Sequence, residues 1–145
     1  VLFLGDSITQ GLTGHGRRWS EAGGKGAFDA FHGKRRAVQL GLSGDRTEHL
    51  LYRIGQGSLD GFRARVIVLQ IGVNNVNAAG HTGRETYAGI VAVTEALGQR
   101  FPGTPVVIAG PFPAGRSPES QVRRSLAEIH GLLGAHGFGP GMVYL

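Results

Sequence analysis

Short apolar runs alternate along this chain with segments in which apolar residues recur every three or four positions. Such runs are typical of strands buried in a sheet, and they cover residues 1–4, 37–42, 66–71, 105–109 and 142–145. The segments between them have the spacing of amphipathic helices, at residues 17–32, 45–55, 82–101 and 117–136. Strands that alternate with helices predict a parallel sheet with helices on both of its faces.

The ends of the predicted helices carry capping signals. Residues 45–48 and 82–85 each fit a capping box, in which an N-cap side chain and a glutamate three residues later satisfy the first backbone N–H groups. Ser117 and Pro118 fit an N-cap followed by proline at the first helical position. No linker-like segment interrupts the alternation, so residues 1–145 are expected to form one domain.

Composition and charge narrow the possible functions. No apolar run approaches the roughly 20 residues that a membrane-spanning helix needs, and the absence of cysteine excludes disulfides and thiolate chemistry. The net charge of +5 comes from separated basic groups, such as residues 34–36, that have no aromatic residues interleaved with them. This pattern favours a solvated basic surface over a nucleic-acid site. Neither the composition nor the charge indicates the cellular compartment of the protein.

Three residues with the chemistry of acyl transfer follow three successive predicted strands. Ser7 follows the first strand, Gly44 the second and Asn74 the third. The carboxyl ends of parallel strands meet at one edge of the sheet, where ligands bind. A serine hydroxyl is a possible nucleophile, and a glycine N–H and an asparagine amide are uncharged donors suited to an oxyanion. Taken singly, each residue also fits a turn or a helix cap.

These same residues resemble the motif blocks of the SGNH, or GDSL, hydrolases. Residues 5–9 are similar to the nucleophile block, Gly44 stands where the second block has its glycine, and residues 72–75 are similar to the third block. Within that family the sequence is most similar to the acetylhydrolases. The resemblance implies a flavodoxin-like three-layer α/β/α sandwich with a five-stranded parallel sheet. It also implies an ester hydrolase that needs neither a metal nor a nucleotide cofactor.

By the same resemblance, Ser7 is the nucleophile and its own N–H is the first oxyanion donor. The Gly44 N–H and the Asn74 side chain supply the other two donors, and Asp6 acts as a scaffold for the serine loop. The implied substrate is a small-molecule ester, a short acyl lipid or an acetylated sugar. A homodimer is possible, and neither a nucleic-acid partner nor a membrane span is expected.

One block of the family pattern has no match in this sequence. The family places an Asp-x-x-His block, which supplies the base and its orienting acid, after the fifth strand, and here the sequence ends at Leu145. We therefore expect the base-bearing loop and a last helix to be absent, which would leave one face of the sheet uncovered and the 145-residue chain inactive. The six histidines are expected to have structural roles, and His15 is the first candidate for a substitute base.

Two other interpretations stay open at this point. One is a non-catalytic module of the same fold that holds an acyl or glycan ligand with Gly44 and Asn74. The other is a flavodoxin-type domain that binds a phosphate at the first turn. Against the second, the turn carries the acidic Asp6 and lacks a glycine-rich cradle.

Overall fold

Five short parallel strands form a single sheet in the computed structural model, which describes residues 1–14 and 24–145. The strand order is β2-β1-β3-β4-β5. The strands are β1 (Leu2–Gly5), β2 (Val38–Gln39), β3 (Ile67–Gln70), β4 (Val106–Ala109) and β5 (Met142–Tyr144). This order and the parallel pairing of all neighbours confirm the predicted five-stranded α/β fold.

Six helices lie within the described residues. They are α1 (Ser7–Gly11), α2 (Lys25–His32), α3 (Thr47–Gly55), α4 (Val73–Asn77), α5 (Gly83–Arg100) and α6 (Gln121–Ala135). The helix predicted over residues 17–32 is confirmed in its last eight residues, while residues 15–23 lie outside the described part. The short α4 was not predicted. None of the described helices has the length and apolarity needed to cross a membrane.

The capping box at residues 82–85 is confirmed, but two other predicted helix starts are wrong. Arg46, not Asp45, is the N-cap of α3, because the Asp45 carboxylate is instead held by the Arg53 guanidinium at 2.5 Å. Ser120 rather than Ser117 caps α6, where its hydroxyl accepts a hydrogen bond from the Arg123 N–H.

The second strand is shorter than the six-residue apolar run from which it was predicted. Gly41 leaves the sheet and packs directly against the turn that follows β1. A Cβ at Gly41 would lie 2.6 Å from the Asp6 carbonyl oxygen and 2.6 Å from the Thr9 Cβ. Only glycine allows this close approach, so the chain after β2 is held against the first turn instead of continuing the strand.

The two faces of the sheet are covered unequally within the described residues. On one face, alternate strand residues such as Leu4 and Leu69 are fully buried in a core completed by α3, α5 and α6. On the other face, α2 packs Phe28 against Phe3 with 5.6 Å between ring centroids. Farther along that face, Val143 is 53% exposed.

Candidate active site

Ser7 is the first residue of α1 and follows β1 at the carboxyl edge of the sheet. The cap of this helix is Asp6, whose Oδ1 accepts a hydrogen bond of 2.9 Å from the Ile8 N–H. A Cβ at Gly5 would lie 2.2 Å from both the Gln70 carbonyl oxygen and the Thr9 Oγ1. Glycine is therefore required where the chain turns. Because Asp6 caps the helix, the half-buried Ser7 is not needed as a cap.

Gly44 lies in the exposed turn between β2 and α3, with φ of +84°. This left-handed conformation favours glycine over residues that have a Cβ. The same turn is connected to the serine segment, since the Leu42 N–H donates a 3.2 Å hydrogen bond to the Gly5 carbonyl oxygen. The segment that contains Gly44 and the segment that contains Ser7 are therefore direct neighbours.

Asn74 is the second residue of α4, which begins after Gly72 with φ of +118°. Its Nδ2 donates a 2.9 Å hydrogen bond to the carbonyl oxygen of Asp45, the residue after Gly44. A primary amide has two N–H donors, so this bond leaves one of them available. The contacts thus connect the segments of Ser7, Gly44 and Asn74 along the carboxyl edge of neighbouring strands β2, β1 and β3.

Asn75, which sequence reasoning included in the third motif block without giving it a role of its own, is a buried link between α4 and α3. Its Oδ1 accepts a 3.1 Å hydrogen bond from the Thr47 N–H, and its Nδ2 lies 3.0 Å from Thr47 Oγ1 and 2.9 Å from Glu48 Oε2. Partial burial works against ionisation of Glu48, but hydrogen bonds from its own N–H and from Asn75 outweigh it and lower the pKa of Glu48. Two consecutive asparagines directly after a predicted strand were the sequence signal that could have indicated this buried link.

Asp6 is a buried carboxyl group directly before Ser7. Its pKa is raised to about 6, chiefly by burial and also by the negative charge of Asp45, although the hydrogen bond from the Ile8 N–H acts in the opposite direction. The second oxygen, Oδ2, is buried and has no hydrogen-bond partner among the described residues. Asp6 is thus the cap of the helix that Ser7 begins, with its pKa raised above the ordinary value for a carboxyl group.

The described histidines lie in contacts of their own, and none of them hydrogen-bonds to Ser7. The contacts are those of His32 with Phe3, His49 with Arg46, His81 with Asn75, His130 with Tyr144 and Pro111, and His136 with Tyr87. His15 lies outside the described residues. Within the described residues no group of His and acidic side chains is arranged to hold a metal ion.

Asp29 and His32 have the Asp-x-x-His spacing, which sequence reasoning overlooked. They lie on α2, which begins beside α1, where the Gly24 N–H donates to the Gly11 carbonyl oxygen. The helix then runs away from the carboxyl edge, and it ends at His32, shortly before β2 begins. Asp29 is exposed and pairs with Lys25. The His32 ring packs against Phe3 of β1 with 5.2 Å between ring centroids, so both residues of the pair are held by contacts of their own.

Comparisons with known proteins cover most of this chain. The sequence profile of the GDSL-like Lipase/Acylhydrolase family matches residues 3–136. The platelet-activating factor acetylhydrolase IB subunit alpha1 of Bos taurus is 34% identical over 118 residues, which are 81% of this chain and 45% of that protein. The chain therefore spans about half the length of the curated relatives it matches.

Solved structures with low sequence identity share the fold. A lipolytic protein of the G-D-S-L family from Veillonella parvula superposes with a TM-score of 0.72 at 19% identity, over 93% of this chain and 70% of that one. An acetylxylan esterase from Geobacillus stearothermophilus superposes with a TM-score of 0.63 at 19% identity, over 92% of this chain and 69% of that one.

Proposed function

Because the chain belongs to the GDSL-like lipase/acylhydrolase family, we propose that it is a serine esterase acting through an acyl intermediate on Ser7. The observation that supports this most directly is the hydrogen bond from Asn74 Nδ2 to the Asp45 carbonyl oxygen. This bond joins the amide that follows β3 to the turn that carries Gly44. The same turn also contacts the serine segment through the hydrogen bond from the Leu42 N–H to the Gly5 carbonyl oxygen.

In the proposed reaction, Ser7 Oγ attacks the carbonyl carbon of the ester while a base removes the hydroxyl proton. The carbonyl oxygen becomes an oxyanion, which accepts hydrogen bonds from the N–H groups of Ser7 and Gly44 and from the Asn74 side chain. The bond to the alcohol oxygen then breaks, and the alcohol leaves with the proton. A water molecule attacks the acyl-Ser7 in the same way and releases the carboxylic acid and the free serine.

The rigidity of the donor groups supports this assignment. An oxyanion site accelerates the reaction only when its donors are held in place beforehand. Asn74 is held by its bond to the Asp45 carbonyl oxygen, and the Gly44 turn is held by Asp45 itself, which is paired with Arg53. The donors therefore need little rearrangement when charge develops on the substrate oxygen.

We propose that the acyl group is short, with acetyl as the first choice. The support is the similarity to proteins named as a platelet-activating factor acetylhydrolase subunit and an acetylxylan esterase. Acetate esters of different alcohols, such as p-nitrophenyl acetate and acetylated xylose, are therefore the substrates to compare first with the corresponding butyrates and octanoates.

We further propose that the base and its orienting acid follow Leu145, in an Asp-x-x-His block after β5. None of the described histidines hydrogen-bonds to Ser7, and in the Asp29–His32 pair Asp29 is bound to Lys25 while His32 packs against Phe3. The 145-residue chain is then expected to retain only the residual catalysis of an oxyanion site without its base, roughly 10³–10⁴-fold over water.

The test compares the 145-residue chain with a longer form of the same protein that carries the expected block. The longer form should hydrolyse p-nitrophenyl acetate and be labelled on Ser7 by a fluorophosphonate probe. Ser7→Ala should abolish both signals with nearly unchanged Tm, whereas Ser58→Ala, at an exposed turn serine, should change neither. Turnover that persists in Ser7→Ala would remove Ser7 from the mechanism.

Two other results would redirect the proposal. Equal turnover by the short and long forms would place the base within residues 1–145, and His15→Ala would then be the first variant to assay. A folded long form that binds an acetylated ligand without hydrolysing it would instead identify the non-catalytic binding module.

A further inference from the structure

The amino edge of the sheet, opposite the candidate active site, gathers basic residues from two separate segments. One segment lies between α2 and β2 and the other between α3 and β3. Since β2 and β3 both pair with β1, the two segments meet around the start of β1. One groove of about 490 Å³, which we call the basic groove, is lined by Val1 and by the five cationic side chains Lys34, Arg35, Arg36, Arg63 and Arg65.

Within the described residues, no ion pair compensates the charge of the basic groove. All five side chains are exposed, and none forms an ion pair within residues 1–14 and 24–145. The whole chain has 15 Lys and Arg residues and 10 Asp and Glu residues. Outside the groove the remaining 10 basic residues therefore equal the 10 acidic ones, so the groove accounts for the net charge of +5.

The residue types indicate the chemistry of a ligand. Four of the five are arginines, whose planar guanidinium groups bind phosphate oxygens in pairs. Arg36 also has φ of +48°, the only positive value at a non-glycine residue in the described part of the chain. Residues held in this uncommon conformation occur often at ligand sites. Several convergent arginines around a concave surface fit an anion that carries more than one phosphate group.

From this arrangement we propose that the basic groove binds a soluble oligoanion with two or more phosphate groups. The groove is concave, whereas a bilayer surface is flat, and a bilayer bound here would leave the carboxyl edge of the sheet facing away from it. Strands of four residues separate the two edges by about 13 Å at 3.3 Å per residue. None of the groove residues is aromatic, so the groove lacks the stacking surface of a single-stranded nucleic-acid site. The proposal does not depend on the chemistry of Ser7.

The test is calorimetric titration of the 145-residue chain with sodium tripolyphosphate at physiological ionic strength. We expect saturable binding, and a Kd at least about tenfold weaker in the double variant Arg63→Ala/Arg65→Ala. The matched control is Arg84→Ala/Arg116→Ala, which removes the same charge from two exposed positions outside the groove. It should weaken binding less than about twofold, because steering by net charge alone is modest at this ionic strength.

Three results would overturn the proposal. The first is the absence of saturable binding, and the second is equal weakening by the two double variants, which would show a response to net charge alone. The third is tighter binding to phosphatidylcholine–phosphatidylserine vesicles or to single-stranded RNA than to tripolyphosphate through the same arginines. If Arg63→Ala/Arg65→Ala fails to fold by circular dichroism, Arg63→Lys/Arg65→Lys replaces it and should weaken binding, since lysine keeps the charge and loses the paired donors. Unchanged binding in that lysine variant would equally contradict a guanidinium site.

Discussion

The polar side chains at the carboxyl edge of the sheet differ from those at the amino edge in burial and in the partners they bind. At the carboxyl edge, Asn75 is almost fully buried and Asn74 partly buried, and both are joined by hydrogen bonds to residues of the neighbouring segment. At the amino edge, the five cations of the basic groove are exposed and lack acidic partners among the described residues. The first edge is organised before any ligand arrives, whereas at the second a ligand would supply the missing countercharge.

The contrast indicates different energetic roles for the two edges. A buried polar group that loses its partner costs the full desolvation penalty, about 1–3 kcal/mol. An exposed charge keeps most of its hydration, and its removal changes stability little. Substitutions at the carboxyl edge are therefore expected to affect activity and stability strongly, and those at the amino edge to affect ligand binding almost alone.

The largest effect is expected for Asn74→Ala in the longer, hydrolytically active form. Loss of one oxyanion donor should lower kcat for p-nitrophenyl acetate by about 10²–10³-fold. Asn77→Ala is the matched control, because Asn77 is exposed on the same helix. If Asn74→Ala kept more than about a tenth of the activity, the carboxyl edge would not contain the proposed oxyanion site.

Asn75→Ala should cause the next largest effect, a loss of unfolding free energy of about 2–3 kcal/mol. The variant leaves the buried Thr47 N–H and the oxygens of Thr47 and Glu48 without their partner. Urea unfolding of the variant and of Asn77→Ala measures the difference. A cost as small as that of the exposed control would show that the hydrogen bonds of Asn75 contribute nothing to the rigidity of this edge.

Asp6→Asn should make the chain more stable at pH 7, with little change near pH 4. Burial raises the pKa of Asp6 from 3.8 to about 6, so the folded chain holds this proton more tightly than the unfolded chain does. The resulting stability is present below pH 3.8 and is lost as pH rises through 6. Asparagine mimics the protonated form and keeps the oxygen that accepts the Ile8 N–H.

Urea unfolding at both pH values measures this difference, which is expected to be on the order of 2 kcal/mol. The negative charge of Asp45, which is paired with Arg53, also raises the pKa of Asp6. The variant Asp45→Asn is therefore measured as well, to separate this contribution from that of burial. An identical pH dependence in the wild type and in Asp6→Asn would mean that folding does not raise the pKa of Asp6.

The smallest effect is expected at the amino edge. Arg63→Ala/Arg65→Ala reduces repulsion among like charges and should raise Tm at low salt by a few degrees at most, with no rise at high salt. Arg84→Ala/Arg116→Ala should give no rise, because Arg84 pairs with Glu128. A large loss of stability in the groove variant would contradict the contrast between the edges.

Much of the fold and the segments of the candidate site could be predicted from local patterns. The runs that became β1, β3, β4 and β5 are nearly continuous and apolar, which is typical of strands in a parallel sheet, although Val143 in β5 is 53% exposed. Ser7, Gly44 and Asn74 each follow a strand, and the polarity of a parallel sheet then places them at one edge.

Other features depended on contacts between distant segments. Asp45 was expected to cap α3, but Arg53 takes its carboxylate, and the cap moves to Arg46. The prediction of a six-residue second strand failed because Gly41 packs against Asp6 and Thr9, which are remote in sequence. Local propensity could not anticipate either result, because Arg53 reaches Asp45 from the last turn of α3 itself and Gly41 meets residues of a different segment.

By itself, the sequence determined the alternation of strands and helices and the family to which the chain belongs. These follow from hydrophobic periodicity and from short motifs, which depend on neighbouring residues only. The tertiary structure alone decided that Asn75 bridges α4 and α3, that Asp6 is buried near Asp45, and that residues 34–36 join Arg63 and Arg65 in one groove. Hydrogen bonding, desolvation and charge repulsion act through space, and only the folded chain sets the distances on which they depend.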